Sequence, residues 1–188
     1  MGNIKEFIDI IKNRYFYINE GLFKDLENFI INSGCVNIRF DHMSNKAMGI
    51  SKPEECVISY KVLNLPIDYT LYIILHEITH QYQYKKYGKD LALEIYRSNT
   101  SIDDAIESLL YLEQSADRLA LMKLNNIIKK NNTKITVNIT PRYLNLNNFD
   151  YIRKYIQMVR DEVTDKNYMT IESINEFLHN RIKLEYMS

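Results

Sequence analysis

His76-Glu77-Ile78-Thr79-His80 is the stretch on which the reading of this chain turns. On an α-helix, residues four apart lie about 40° apart around the axis, so the two imidazoles project side by side from one face. Two such imidazoles suit a single zinc ion. Glu77 is offset from His76 by about 100°, which places it beside an open coordination position rather than at the metal. That is where a base acting on water is wanted.

The segment around the motif, from Asp68 to about Gly88, carries apolar residues at helical spacing on two sides. Leu71, Ile74, Leu75, Ile78 and Tyr82 form one stripe, and Tyr72, Ile73, His76, His80, Tyr84 and Tyr87 gather on the other. The pattern predicts a helix entered through Pro66, capped by Asp68 and held between two layers. Histidines on such a helix need partners, which a metal supplies.

A second long helix is expected from about Asp103 to Lys130, with a capped start at Thr100 or Ser101. Its apolar face comprises Ile106, Leu109, Leu110, Ala120, Leu121, Leu124 and Ile128, and Glu113 and Asp117 fall inside that stripe. The opposite face, with Glu107, Gln114, Ser115, Arg118, Asn125, Asn126 and Lys129, has ample room for polar groups. Unpartnered buried carboxylates cost several kcal/mol, so they are almost always paired or bound to metal. Glu113 is therefore expected as the third zinc ligand. Asp117, one turn on, is placed to accept the other ring N–H of a zinc-bound histidine. Two histidines and one glutamate make the open, three-ligand set of catalytic zinc, in contrast to closed structural sites rich in cysteine.

Elsewhere, helical periodicity marks about Asn3 to Arg14 and about Glu20 to Ile31, the latter closed by Asn32-Ser33-Gly34. Alternation then marks strands: Val36, Ile38 and Phe40; about Lys46 to Ile50; and Cys56 to Val62. Their short connections suggest an antiparallel meander. Alternation returns over Lys134 to Thr140. A short helical piece is expected around Leu91 to Tyr96, and two further amphipathic helices near 148–163 and 170–184. The fold class is α+β: one domain over residues 1–188, with a small antiparallel-rich sheet on the metal-binding helix and flanking terminal helices. A chain of 188 residues has room for one such core and not for two.

Lys and Arg together match Asp and Glu at 24 each, evenly mixed, so no basic patch calls for nucleic acid. No apolar run is long enough to span a membrane. With no secretory leader at Met1-Gly2-Asn3-Ile4-Lys5-Glu6, a cytoplasmic protein is expected, with Cys35 and Cys56 as reduced core residues.

His76-Glu77-x-x-His80 followed by Glu113-x-x-Ala116-Asp117-x-x-Ala120 resembles the gluzincin metallopeptidases, in particular the ImmA/IrrE-like branch. Gly49-Ile50, a strand through Ile58, and Tyr72-x-x-Leu75 before His76 are similar to that branch's lead-in, so the likeness runs from about Ala47 to Leu121. The resemblance implies a minimal zincin-like fold and a cytosolic zinc protease acting on a protein or peptide, in that branch a transcriptional repressor. It implies an edge strand that holds substrate extended, for which Cys56 to Val62 is the candidate. Gluzincins related to thermolysin also use a downstream histidine to steady the oxyanion; His179 is the candidate, with Tyr143 behind it. Two other readings stand beside this one: an inactive zinc-binding interaction module, and a gluzincin of another branch acting on small peptides. An intact Glu77 speaks against the module, because a structural site has no use for a base there.

Overall fold

Among the described residues, four α-helices and a three-stranded sheet build an α+β fold. The computed structural model describes residues 2–43, 48–89 and 101–139. The helical pieces expected near 91–96, 148–163 and 170–184 lie outside these residues, as do Tyr143 and His179.

Helix α1 (Gly2–Arg14) and helix α2 (Glu20–Ser33) form where apolar residues recur every three to four positions. Phe7, Ile8, Ile11, Leu22, Phe23, Leu26 and Ile30 are buried in one core. Asn19 caps α2 by accepting the Gly21 N–H at 2.7 Å. Gly34 ends that helix in the left-handed region at φ 86°, where a residue without Cβ avoids a steric cost.

Strands β1 (Asn37–Asp41), β2 (Gly49–Lys52) and β3 (Glu55–Ser59) pair in the order β1-β3-β2. The β2-β3 pair is antiparallel, but β1 pairs with β3 in parallel, with Ile38 opposite Cys56 and Phe40 opposite Ile58. The expected antiparallel meander is therefore a mixed sheet whose last strand inserts in the middle. Alternation reports which face a side chain takes and is silent on neighbours and direction. Of the second strand expected over Lys46 to Ile50, residues 46 and 47 lie outside the described residues, and the strand observed is Gly49–Lys52. The third stops at Ser59, whose hydroxyl accepts the Lys61 N–H at 3.3 Å and starts a single 3-10 turn, Tyr60–Asn64.

One sheet face, with Ile38, Phe40, Cys56 and Ile58, meets the helices; Phe7 of α1 stacks on Phe40 at 4.5 Å. The other face carries the Arg39–Glu55 and Lys52–Glu55 ion pairs. Helix α3 (Ile67–Tyr87) lies against the helix-bearing face and helix α4 (Ile102–Lys130) packs on α3, so the motif helix does sit between layers.

Asp68 is not the cap of α3: the helix starts at Ile67 after Pro66 with no side-chain cap. Asp68 is buried in the first turn, where a carboxylate suits the helix dipole, and accepts the Asn138 N–H at 3.2 Å. That contact ties down residues 133–139, which have no sheet pairing although Ile135, Val137 and Ile139 pack against the core. Of the strand expected over Lys134 to Thr140, residues 134–139 are thus a packed segment outside the sheet and Thr140 lies outside the described residues; alternation reports one buried face, which packing on the core satisfies without a partner strand. Tyr15, at the end of α1, secures the start of α3 by hydrogen bonding to Thr70 at 2.8 Å and to the Leu65 carbonyl at 2.9 Å. Ser101 opens α4 with a capping box to Asp104. No helix among the described residues is long and apolar enough to cross a membrane.

Candidate metal centre

Helix α3 presents His76 and His80 on the side that meets α4, and α4 answers with Glu113 and Asp117. Ala116 and Ala120 are fully buried on the same helix, and their small side chains allow α4 to approach α3 closely. All four polar residues are buried, with Asp117 only 1 % exposed.

His76 Nε2 and His80 Nε2 stand 3.1 Å apart. Glu113 completes a triangle, with Oε2 at 3.3 Å from His76 Nε2 and Oε1 at 3.6 Å from His80 Nε2. Bonds of about 2.0–2.1 Å to a tetrahedral zinc would put donor atoms about 3.3–3.4 Å apart. The three separations bracket that length, so the donor set fits a zinc ion. Among the described residues this is the one cluster of its kind.

The outer ring nitrogens decide which atoms face inward. His76 Nδ1 lies 2.8 Å from Asp117 Oδ1, which also accepts the Tyr72 hydroxyl. A carboxylate oxygen accepts, so Nδ1 of His76 carries the hydrogen. His80 Nδ1 lies 2.8 Å from Gln83 Oε1. The orientation of that amide follows from its other end, where Nε2 donates to the Leu112 carbonyl at 2.8 Å and to Ser115 Oγ at 2.7 Å. A backbone carbonyl only accepts, so the NH₂ group must face Leu112 and the amide oxygen must face His80. Both Nε2 atoms then face the Glu113 carboxylate.

Three acceptors at such separations repel unless a cation lies among them: a proton or a metal. Burial disfavours the imidazolium of His76, yet the hydrogen bonds and charges of Asp117 and Glu113 outweigh it and raise His76 to about 10. The same electrostatic demand would hold a divalent ion.

No family model matches the chain, and neither does any curated protein or solved structure.

Glu77 is fully buried on the sheet side of α3, its side chain against Gly49 of β2. It is not one of the His76, His80 and Glu113 cluster. Cys35 and Cys56 are buried and form no disulfide. Burial pushes the Cys35 thiol up to about 11 and the Cys56 thiol well above its usual value, so neither offers a ready thiolate to a metal.

Two glutamines that no motif or periodicity marks also shape the site. Gln83 holds His80, and its only sequence signal is its position three residues on, which puts it on the same helical face. Gln81, 2 % exposed, plugs the β2-β3 turn: Nε2 donates to Ser51 Oγ and the Lys52 carbonyl, both at 2.6 Å, while Oε1 accepts the Glu54 N–H at 2.9 Å. Glu54 is in the left-handed region at φ 69°, a strained conformation for a residue with a side chain, and this hydrogen bond helps hold it. The hairpin is thereby anchored to the motif helix one residue past His80.

The structure also corrects the candidate substrate strand. Residues 56–59 lie in β3, which has β1 on one side and β2 on the other, so its backbone is already committed to the sheet. Among the described residues β2 pairs on one side only. Met48 accepts the Ser59 N–H at 2.9 Å, which in an antiparallel ladder turns residues 50 and 52 toward β3 and residues 49 and 51 outward. Tyr84 donates its hydroxyl to the Ser51 carbonyl at 3.0 Å.

Proposed function

We propose that this chain is a zinc-dependent metallopeptidase that hydrolyses peptide bonds in a protein or peptide substrate. One observation carries the reading: two imidazole Nε2 atoms and the Glu113 carboxylate converge at 3.1–3.6 Å, with both Nδ1 hydrogens tied to protein acceptors. Zinc, when bound by His76, His80 and Glu113, supplies a Lewis acid that acidifies water and polarises a carbonyl. Asp117 and Gln83 hold the imidazoles in the tautomer that ligation requires. Glu77 takes a proton from the attacking water on a carboxylate oxygen and returns it to the leaving nitrogen. An extended substrate adds to the open edge of β2, hydrogen bonding to the outward backbone of Gly49 beside Glu77.

On this reading the α+β fold is a minimal zincin-like domain of gluzincin type. The likeness to the ImmA/IrrE branch then suggests a cytoplasmic regulatory protease acting on a transcriptional repressor, with Zn²⁺ as its cofactor and neither nucleic acid nor membrane as a partner. A second reading is favoured by the burial of Glu77, which is 0 % exposed: a sealed zinc-binding module that serves in protein interaction.

Glu77→Gln separates the two. The amide keeps size and hydrogen bonding but takes no proton, so zinc content and melting temperature should hold while hydrolysis falls by orders of magnitude. The substrates to offer are repressors encoded beside the gene, with discrete cleavage as the readout. Capture of a repressor by Glu77→Gln that wild type cleaves supports the protease. Equal binding by both proteins with no cut at any zinc level supports the module.

A further inference from the structure

Gly49 occupies a strand position where glycine is a poor choice, since it weakens a strand and leaves nothing to pack. Its backbone does not explain the choice: the described glycines with positive φ are Gly34 and Gly88, and Gly49 is not among them. An L residue would fit the conformation. What it would not fit is the space. A Cβ built on Gly49 would lie 2.5 Å from Glu77 Cγ, 2.7 Å from Oε1 and 2.8 Å from Cδ. Real Cβ atoms essentially never show separations that short.

The neighbours confirm that the crowding is with Glu77 in particular. Gly49 pairs with Ile58, and both face the helix-bearing side of the sheet, where Glu77 is fully buried. Two residues along β2, Ser51 on that same side carries a side chain and hydrogen bonds through it to Gln81, one helical turn beyond Glu77. Side chains are thus accommodated at the next inward position of the strand. At Gly49 the carboxylate itself fills the room that a side chain would take.

We infer that Gly49 is a positioning residue: the absence of its side chain forms the seat that holds the Glu77 carboxylate against the β2 edge. The inference rests on the reading of Glu77 as the base. It adds that the base is placed by the sheet as well as by its own helix. Any side chain at position 49 drives the carboxylate away from the strand along which substrate would lie, with the metal ligands untouched.

The test is a melting cycle on the full chain, joined to a spectroscopic one. Gly49→Ala should lower Tm by roughly 2–10 °C through overpacking. In a Glu77→Ala background the same change should leave Tm unchanged or raise it, because the new methyl enters space the carboxylate has left. Loaded with cobalt(II) as the probe, Gly49→Ala should retain one ion per chain and show the visible spectrum of Glu77→Gln rather than that of wild type. A merely structural glycine would leave the cobalt spectrum at wild type. The proposal is overturned if Gly49→Ala destabilises equally with Glu77 and with Ala at position 77, or if it leaves both Tm and spectrum unchanged. If the cycle holds while Glu77→Gln itself has the wild-type cobalt spectrum, the seat stands and the reading of Glu77 as a base falls.

Discussion

His80 Nδ1 donates to Gln83 Oε1 at 2.8 Å, and the amide that accepts this hydrogen is locked from its far end by the Leu112 carbonyl on α4. One side chain thereby couples the second histidine to the helix that carries Glu113. Helix packing and histidine tautomer are set by the same group.

Gln83→Leu keeps the bulk and removes both functions. Zinc affinity should fall about 10- to 100-fold, the usual cost of losing a partner to a ligating histidine. Competition against a chromophoric chelator measures it. Full affinity in Gln83→Leu would show that His80 needs no fixed tautomer.

The contrast between what the residues foretold and what they concealed has a physical origin. His76, His80, Glu113 and Asp117 were legible because each violates a pattern: polar groups on helix faces whose neighbours are apolar. Gln83 violates nothing, since a glutamine on a helix looks like a solvated residue until its partners are seen. Alternation grouped Cys56 with Ile58, which do share the helix-bearing face, but left open which strand lies beside them. The edge strand that the family resemblance implies, with Cys56 to Val62 as candidate, is instead the central strand. Gly49 was noticed only through the family resemblance, and its reason, the Glu77 carboxylate in the space of its Cβ, is a contact between elements distant in sequence.

The raised His76 gives a pH dependence whose sign is fixed. Its folded-state value is about 10, above the ordinary 6.5, so in the metal-free chain it adds stability that is fully present below about pH 6.5. That contribution is lost as pH rises through about 10. Zinc must displace the same proton, so its apparent affinity should rise with pH across this window. Melting of chelator-treated protein and zinc titration from pH 6 to 10 should therefore trend in opposite directions. Parallel trends would mean that His76 is not the protonated group.

Asp117 is the side chain that most clearly links stability to metal binding, because Oδ1 receives both the His76 Nδ1 hydrogen and the Tyr72 hydroxyl. Replacing it with Asn preserves the shape and an acceptor but removes the charge that favours imidazolium. Asp117→Asn should therefore flatten the pH dependence of metal-free stability, leaving the part due to Glu113. Asp117→Ala loses the acceptor as well, and its zinc affinity should drop by roughly 10- to 100-fold. Tyr72→Phe removes only one donor to the carboxylate, so its effect should be the smallest of the three. The order Tyr72→Phe, Asp117→Asn, Asp117→Ala is what a carboxylate orienting His76 requires. If Asp117→Ala titrates with zinc like wild type, the carboxylate serves packing between α3 and α4 alone, and the orientation of His76 must come from its own helix.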